Sequence, residues 1–219
     1  MVFVAFESST RTPSVAALID GELLEADLDG ALAHASDLLP SLSALLESRG
    51  KSPKEITAVA VGVGPGSYTG LRVGIATAQG VARAASAKLI GIPSGEALAY
   101  AGLARGERGD LVIDARGGAL YHARFERTEG GVETLVAPRV VPAESLQDLV
   151  DESVVLFLDE ALTSSVTTRD EQRVIFERTP RARALLELAA QRVEGESHDD
   201  PSAVLPLYLR AFEGKIRKR

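Results

Sequence analysis

The residues with the clearest chemical potential lie in one run, Gly62-Val63-Gly64-Pro65-Gly66-Ser67-Tyr68-Thr69-Gly70-Leu71-Arg72-Val73-Gly74, between an apolar strand pattern and a helical one. Backbone N–H groups at such a junction can hold an anion, because the helix start is partly positive and glycine admits a ligand closely. The known spacings do not fit. A phosphate-binding Walker loop needs a Gly-Lys-Ser/Thr end, and no lysine occurs between Lys54 and Lys88. A dinucleotide fingerprint needs a small residue where Thr69 stands. A hydrolase elbow needs Gly-x-Ser-x-Gly, whereas Ser67 directly follows Gly66. Two carboxylates are the other candidates: Glu7 closes the apolar run Val2–Phe6, and Asp114 closes Leu111–Ile113, 107 residues later. The three histidines, His34, His122 and His198, have no paired ligand spacing, and without cysteine there is no thiolate nucleophile or disulfide. No metal site is expected.

The elements that position these groups read as a repeat. Val2–Phe6, Ser14–Ile19 and Glu22–Leu28 are expected strands, with Asp20-Gly21 as a hairpin turn. Ala35, Leu38, Leu39, Leu42, Leu45 and Leu46 form a helical stripe stopped by Gly50, with Pro40 tolerable in the first turn. Ser52-Pro53-Lys54-Glu55 has the form of a capping box before the strand Ile56–Val63, and Leu71–Ala85 is the second helix. The second half repeats the order: strands at Leu111–Ile113, Ala119–Phe125 and Val132–Val136, a helix over Pro142–Val150, a strand at Val154–Leu158 and a helix over Arg181–Val193. Arg181 and Arg183 are expected on the exposed side of that last helix. The fold class is therefore α/β, as tandem βββαβα lobes divided as residues 1–105 and 106–219. That order is similar to the actin-like, sugar-kinase and Hsp70 (ASKHA) architecture, in which paired carboxylates manage a metal-nucleotide.

Along the second helix Gly70, Gly74, Ala78 and Ala82 recur every four residues, leaving one side almost without side-chain volume. Either the chain's own elements or a partner helix must pack there. Composition is that of a soluble domain of 219 residues, 45% apolar, with 24 basic against 31 acidic residues and a net charge of −7. A body that acidic repels phosphate backbones, so nucleic acid would need a patch, a partner or the basic tail Lys215–Arg219. No leader or membrane-spanning run is evident, which makes the cytoplasm the expected compartment.

The eleven residues Gly64–Gly74 closely resemble the signature of the bacterial TsaB (YeaZ) family, with tyrosine where phenylalanine is common. Further matches are Glu7-Ser8-Ser9-Thr10, His34 with Leu38-Leu39-Pro40, Val112-Ile113-Asp114-Ala115-Arg116 with Tyr121, and Pro206-Leu207-Tyr208-Leu209-Arg210. The resemblance implies a non-catalytic companion of TsaD, the enzyme that places threonylcarbamoyl on N6 of adenosine 37 in tRNAs reading ANN codons. It implies docking on TsaD through the N-terminal lobe helices, with the ATPase TsaE joining the pair, self-association when the chain is alone, and tRNA contact only through the complex. No cofactor is expected, since Glu7 lacks a following glycine and Asp159–Ser164 contains none; Glu7 and Asp114 are then vestiges of a nucleotide cleft or structural acids. Leu38, Leu42, Leu45, Gly70, Arg72, Gly74 and Ala78 are the expected interface, and a bulky Gly74→Arg change is expected to block docking while leaving the fold intact. The alternative is a stand-alone enzyme of the same fold, a small-molecule kinase or a peptidase.

Overall fold

The computed structural model describes residues 1–10, 12–28, 37–176, 181–194, 200 and 202–209. His34, His198, Arg210 and the tail Lys215–Arg219 lie outside the described residues.

Two five-stranded sheets share one plan. Strands β1 (Val2–Glu7), β2 (Ser14–Ile19), β3 (Glu22–Asp27), β4 (Ile56–Gly62) and β5 (Lys88–Ile92) order as β3-β2-β1-β4-β5. Strands β6 (Arg108–Asp114), β7 (Ala119–Thr128), β8 (Gly131–Pro142), β9 (Val155–Leu158) and β10 (Arg173–Phe176) order as β10-β9-β6-β7-β8. In each, the first strand is central, an antiparallel hairpin flanks it on one side, and parallel strands flank it on the other. All six residues of β1 are buried, as expected of a strand covered on both faces. Asp20 and Gly21 both take positive φ, 51° and 91°, the conformation an Asp-Gly hairpin turn requires.

Helix α1 (Leu38–Glu47) buries Leu38, Leu42 and Leu46, and Pro40 sits in its first turn. The capping box at Ser52–Glu55 forms, but it starts a single 3-10 turn. Helix α2 (Tyr68–Ala85) is capped by the Ser67 hydroxyl, which accepts from Gly70 N. Helices α1 and α2 cover one face of the first sheet, with Val4, Phe6, Val15, Val59 and Ile75 in the core between them. The other face is covered by the last helix, α5 (Ala182–Glu194), whose Leu185, Leu186 and Leu188 pack on Phe3, Ala58, Ala60 and Ile90. The chain also sends a helix the opposite way: α3 (Ser94–Gly102) follows β5 yet packs on the second sheet, against Leu111, Phe125 and Phe157. At Gly95 a Cβ would come within 2.8 Å of the Phe125 ring, so the close approach of α3 requires glycine.

Several boundaries differ from expectation. The third strand of the second half runs on from Gly131 to Pro142, and only a short turn, Ala143–Ser145, and α4 (Leu146–Glu152) follow it. Where the first half has the long α2, the second has a 3-10 turn at Glu160–Ser165. Arg183 is exposed and pairs with Glu187 one turn on, but Arg181 is buried, because it precedes the helix and points back into the first lobe. No helix among the described residues is long and apolar enough to cross a membrane.

Candidate functional site

Glu7 ends the central strand of the first sheet and Asp114 ends that of the second, and each has acquired a guanidinium from its own chain. Glu7 is 1% exposed. Its Oε1 accepts from Ser9 N at 2.7 Å and lies 3.8 Å from Arg181 Nη2. Arg181, equally buried, donates from Nη2 to Ser9 Oγ at 2.7 Å. Glu7 Oε2 and Arg181 Nε have no hydrogen-bond partner among the described residues. Oε2 rests against Gly62, where any side chain would overlap the carboxylate. Two groups of the first sheet hold α5 in place. Ser14 Oγ accepts from Arg181 N and Ala182 N at 3.3 and 3.1 Å, and Glu25 Oε1 accepts from Arg183 N at 3.2 Å, so a hydroxyl and a carboxylate take up donors of the α5 start. Burial pushes the Glu25 carboxyl up from its ordinary value, against the Arg183 amide that lowers it.

The glycines of the signature form a seam against the residues that follow Glu7. Side chains at Gly66 and Gly70 would overlap the carbonyls of Ser9 and Ser8, and one at Gly74 would overlap the Ser8 hydroxyl. Ser8 Oγ donates to Gly70 O at 2.9 Å, and Ser67 N donates to Ser9 O at 2.7 Å. Gly64 N donates to Ser94 Oγ, Gly70 N to Ser67 Oγ and Leu71 N to Ser67 O. The amides of Gly64, Ser67, Gly70 and Leu71 are thus engaged within the chain.

Asp114 accepts from Arg116 N at 2.8 Å and sits 3.2 Å from Arg116 Nη1. Its own amide donates to Asp159 Oδ2. Arg116, Gly117 and Gly118 all have positive φ, so the chain turns sharply past the acid. Beside it lies a cavity of about 370 Å³ lined by Asp114, Leu120, Glu144, Gln147 and Leu162 among others. A metal-nucleotide does not fit at Glu7, whose carboxylate is enclosed by Gly62, Ser9 and Arg181. Among the described residues no three His, Asp or Glu side chains converge as a metal site.

His122 is buried in a polar cluster that joins β6, β7 and the end of α4. Its Nε2 is 2.8 Å from Asp110 Oδ1, Arg124 Nε bonds both Asp110 oxygens, and Ser153 Oγ lies 3.0 Å from Oδ2. Burial pushes the Asp110 carboxyl up, but these hydrogen bonds outweigh it and hold the carboxyl below its ordinary range. The carboxylate stands between serine and histidine, which is not the order of a nucleophilic relay, where imidazole must touch the hydroxyl.

The residues expected at a partner interface divide in two. Leu38, Leu42 and Ala78 belong to the chain's own core, with Leu45 half-buried against it. Gly70 and Gly74 are occupied by Ser8, so Gly74→Arg would disrupt the fold, contrary to expectation, because the ridge packs inward. Arg72 is exposed. The outer faces instead carry Leu39, Ser43 and Ala44 on α1 and Thr69, Arg72, Ala76 and Gly80 on α2. A side chain at Gly80 would meet nothing within 4 Å. The segment Pro206–Tyr208 reaches the signature itself: Leu207 N donates to Val63 O, and Tyr208 stacks on Tyr68. Arg181 was missed in the sequence because nothing local marks it; its partners are 172 and 174 residues away.

Twin five-stranded sheets of one topology, each with an acid closing its central strand, define the actin-like α/β class. The family model described as "TsaD: tRNA N6-adenosine threonylcarbamoyltransferase" matches residues 29–155. The Escherichia coli K12 "tRNA threonylcarbamoyladenosine biosynthesis protein TsaB" is 31% identical, covering 96% of this chain and 95% of its own. The Bacillus subtilis protein of the same name is 25% identical over 84% of this chain and 82% of its own. The solved structure "YeaZ from Pseudomonas aeruginosa" superposes with a TM-score of 0.81 at 26% identity, covering 95% of this chain and 99% of the other. The chain belongs to the TsaB (YeaZ) family.

Proposed function

We propose that this chain is a non-catalytic scaffold and activator in forming N6-threonylcarbamoyladenosine at position 37 of tRNAs reading ANN codons. It binds TsaD through the outer faces of α1 and α2, lets the ATPase TsaE join, and pairs with itself through the same helices when alone. It meets tRNA only through the complex and works in the cytoplasm. The names of the E. coli and B. subtilis relatives support the pathway, and the TsaD family match supports kinship with the transferase. The observation that carries the non-catalytic reading is the burial of Glu7 beside Arg181, which closes the first cleft acid off from a ligand.

Purified TsaD and TsaE with tRNA, ATP and threonylcarbamoyl-adenylate are expected to yield modified nucleoside, read by mass spectrometry, only once this chain is added. Gly80→Arg, which enters open space on the outer face of α2, is expected to abolish that rescue with an unchanged melting temperature. Equal yield without the chain would overturn the proposal. The cavity beside Asp114 favours the other reading, a stand-alone small-molecule kinase, and ATP turnover by the isolated chain that is lost on Asp114→Asn would establish it.

A further inference from the structure

The start of α2 carries a built cluster that small helix-face residues do not account for. Tyr208 stacks on Tyr68 with ring centroids 5.4 Å apart, and Arg72 Nη1 donates to the Tyr68 hydroxyl at 2.8 Å. The strap that delivers Tyr208 is fixed by buried Val204, by Gln79 Nε2 donating to Val204 O at 3.1 Å and by Leu207 N donating to Val63 O at 2.8 Å. Both rings remain far more exposed than core aromatics, 40% for Tyr68 and 49% for Tyr208. Helix α2 contains no acidic residue, and Arg72 has no carboxylate partner among the described residues. The helix's other arginine, Arg83, already has Asp200 nearby. Arg72 is therefore the cation of this face that the described residues leave without a carboxylate.

A guanidinium steadied by a tyrosine hydroxyl keeps its remaining donors in a fixed fork that matches a carboxylate. Tyrosine and arginine are also the side chains that dominate interface energetics, and ordering them beforehand lowers the cost of binding. We propose that the Tyr208–Tyr68–Arg72 ladder is the anchor of the docking face and takes up a carboxylate of the partner chain; this rests on the docking function proposed above. A second copy of this chain is a poorer occupant, since two such α2 faces would set cations against cations. RNA is poorer too, because its phosphates would approach a chain of net charge −7.

The test is calorimetric titration of the full-length chain with TsaD. Arg72→Glu is expected to weaken binding about 100-fold, and Arg72→Lys and Tyr208→Ala about tenfold each, with melting temperatures unchanged. Wild-type affinity is expected to fall as NaCl rises from ~50 to ~500 mM, while that of Arg72→Glu is expected to rise, because salt screens the repulsion between two carboxylates. If Gly80→Arg abolishes binding and Arg72→Glu does not weaken it, the anchor is wrong and the docking face stands. If neither changes affinity, the docking face itself is wrong. If Arg72→Glu instead removes tRNA binding or self-association and spares TsaD, the carboxylate occupant is wrong.

Discussion

Arg181 shows how a side chain can change the meaning of a carboxylate. Glu7 was legible from the sequence as an acid at a strand end, and as a vestige once no glycine followed it. What was not legible is the cation that neutralises it, because an arginine beside an amphipathic helix reads by default as solvated. Only the fold brings it within 3.8 Å of Glu7. A buried pair of this kind is a doubtful net stabiliser, but removing one partner strands the other charge. Arg181→Met is therefore expected to destabilise the chain by about 3–5 kcal/mol, and the double change Glu7→Gln/Arg181→Met by less than the single one. Urea denaturation of the four forms checks this; additive losses would mean that the two side chains are not coupled.

At the scale of the element, α2 has two ridges made mostly of small residues, and the periodicity could not say which one turns inward. Gly70, Gly74, Ala78 and Ala82 recur every fourth residue, but so do Arg72, Ala76 and Gly80. The inward choice is made by the Glu7–Thr10 segment, whose backbone and hydroxyls need glycine to approach. Two glycines on one helix should then respond oppositely to the same methyl group. Gly74→Ala is expected to destabilise, since its Cβ overlaps the Ser8 hydroxyl, whereas Gly80→Ala is expected to stabilise by up to about 1 kcal/mol on helix propensity alone. Melting temperatures of the two variants decide it, and a gain for both would mean that the seam is loose. Other elements escaped the sequence for a different reason. The run that becomes β5 is five residues broken by Gly91, and α3 has glycine at its second and last positions, so neither shows a period long enough to read.

The whole molecule was legible as a tandem, since an acid, a hairpin and a helix return after 107 residues, but the exchange of helices between the sheets was not. Helix α3 follows the first sheet and covers the second; α5 follows the second and covers the first. No local pattern can report which sheet an apolar stripe will meet. The exchange has an energetic consequence. Leu185, Leu186 and Leu188 are buried on the first sheet, and each such side chain contributes about 1.5–3 kcal/mol. Their sum is comparable to the ~5–15 kcal/mol net stability of a typical domain. A fragment of residues 1–105 lacks them and exposes Phe3, Ala58 and Ile90, so it is expected to be unfolded or aggregated by circular dichroism and light scattering. By the same reasoning neither half of the intact chain can melt while the other stays native, because each keeps a layer of the other's core. Calorimetry is expected to give one transition whose measured enthalpy equals the van't Hoff value. Two separate transitions would show that the exchanged helices contribute little, and that the lobes hold themselves together without them.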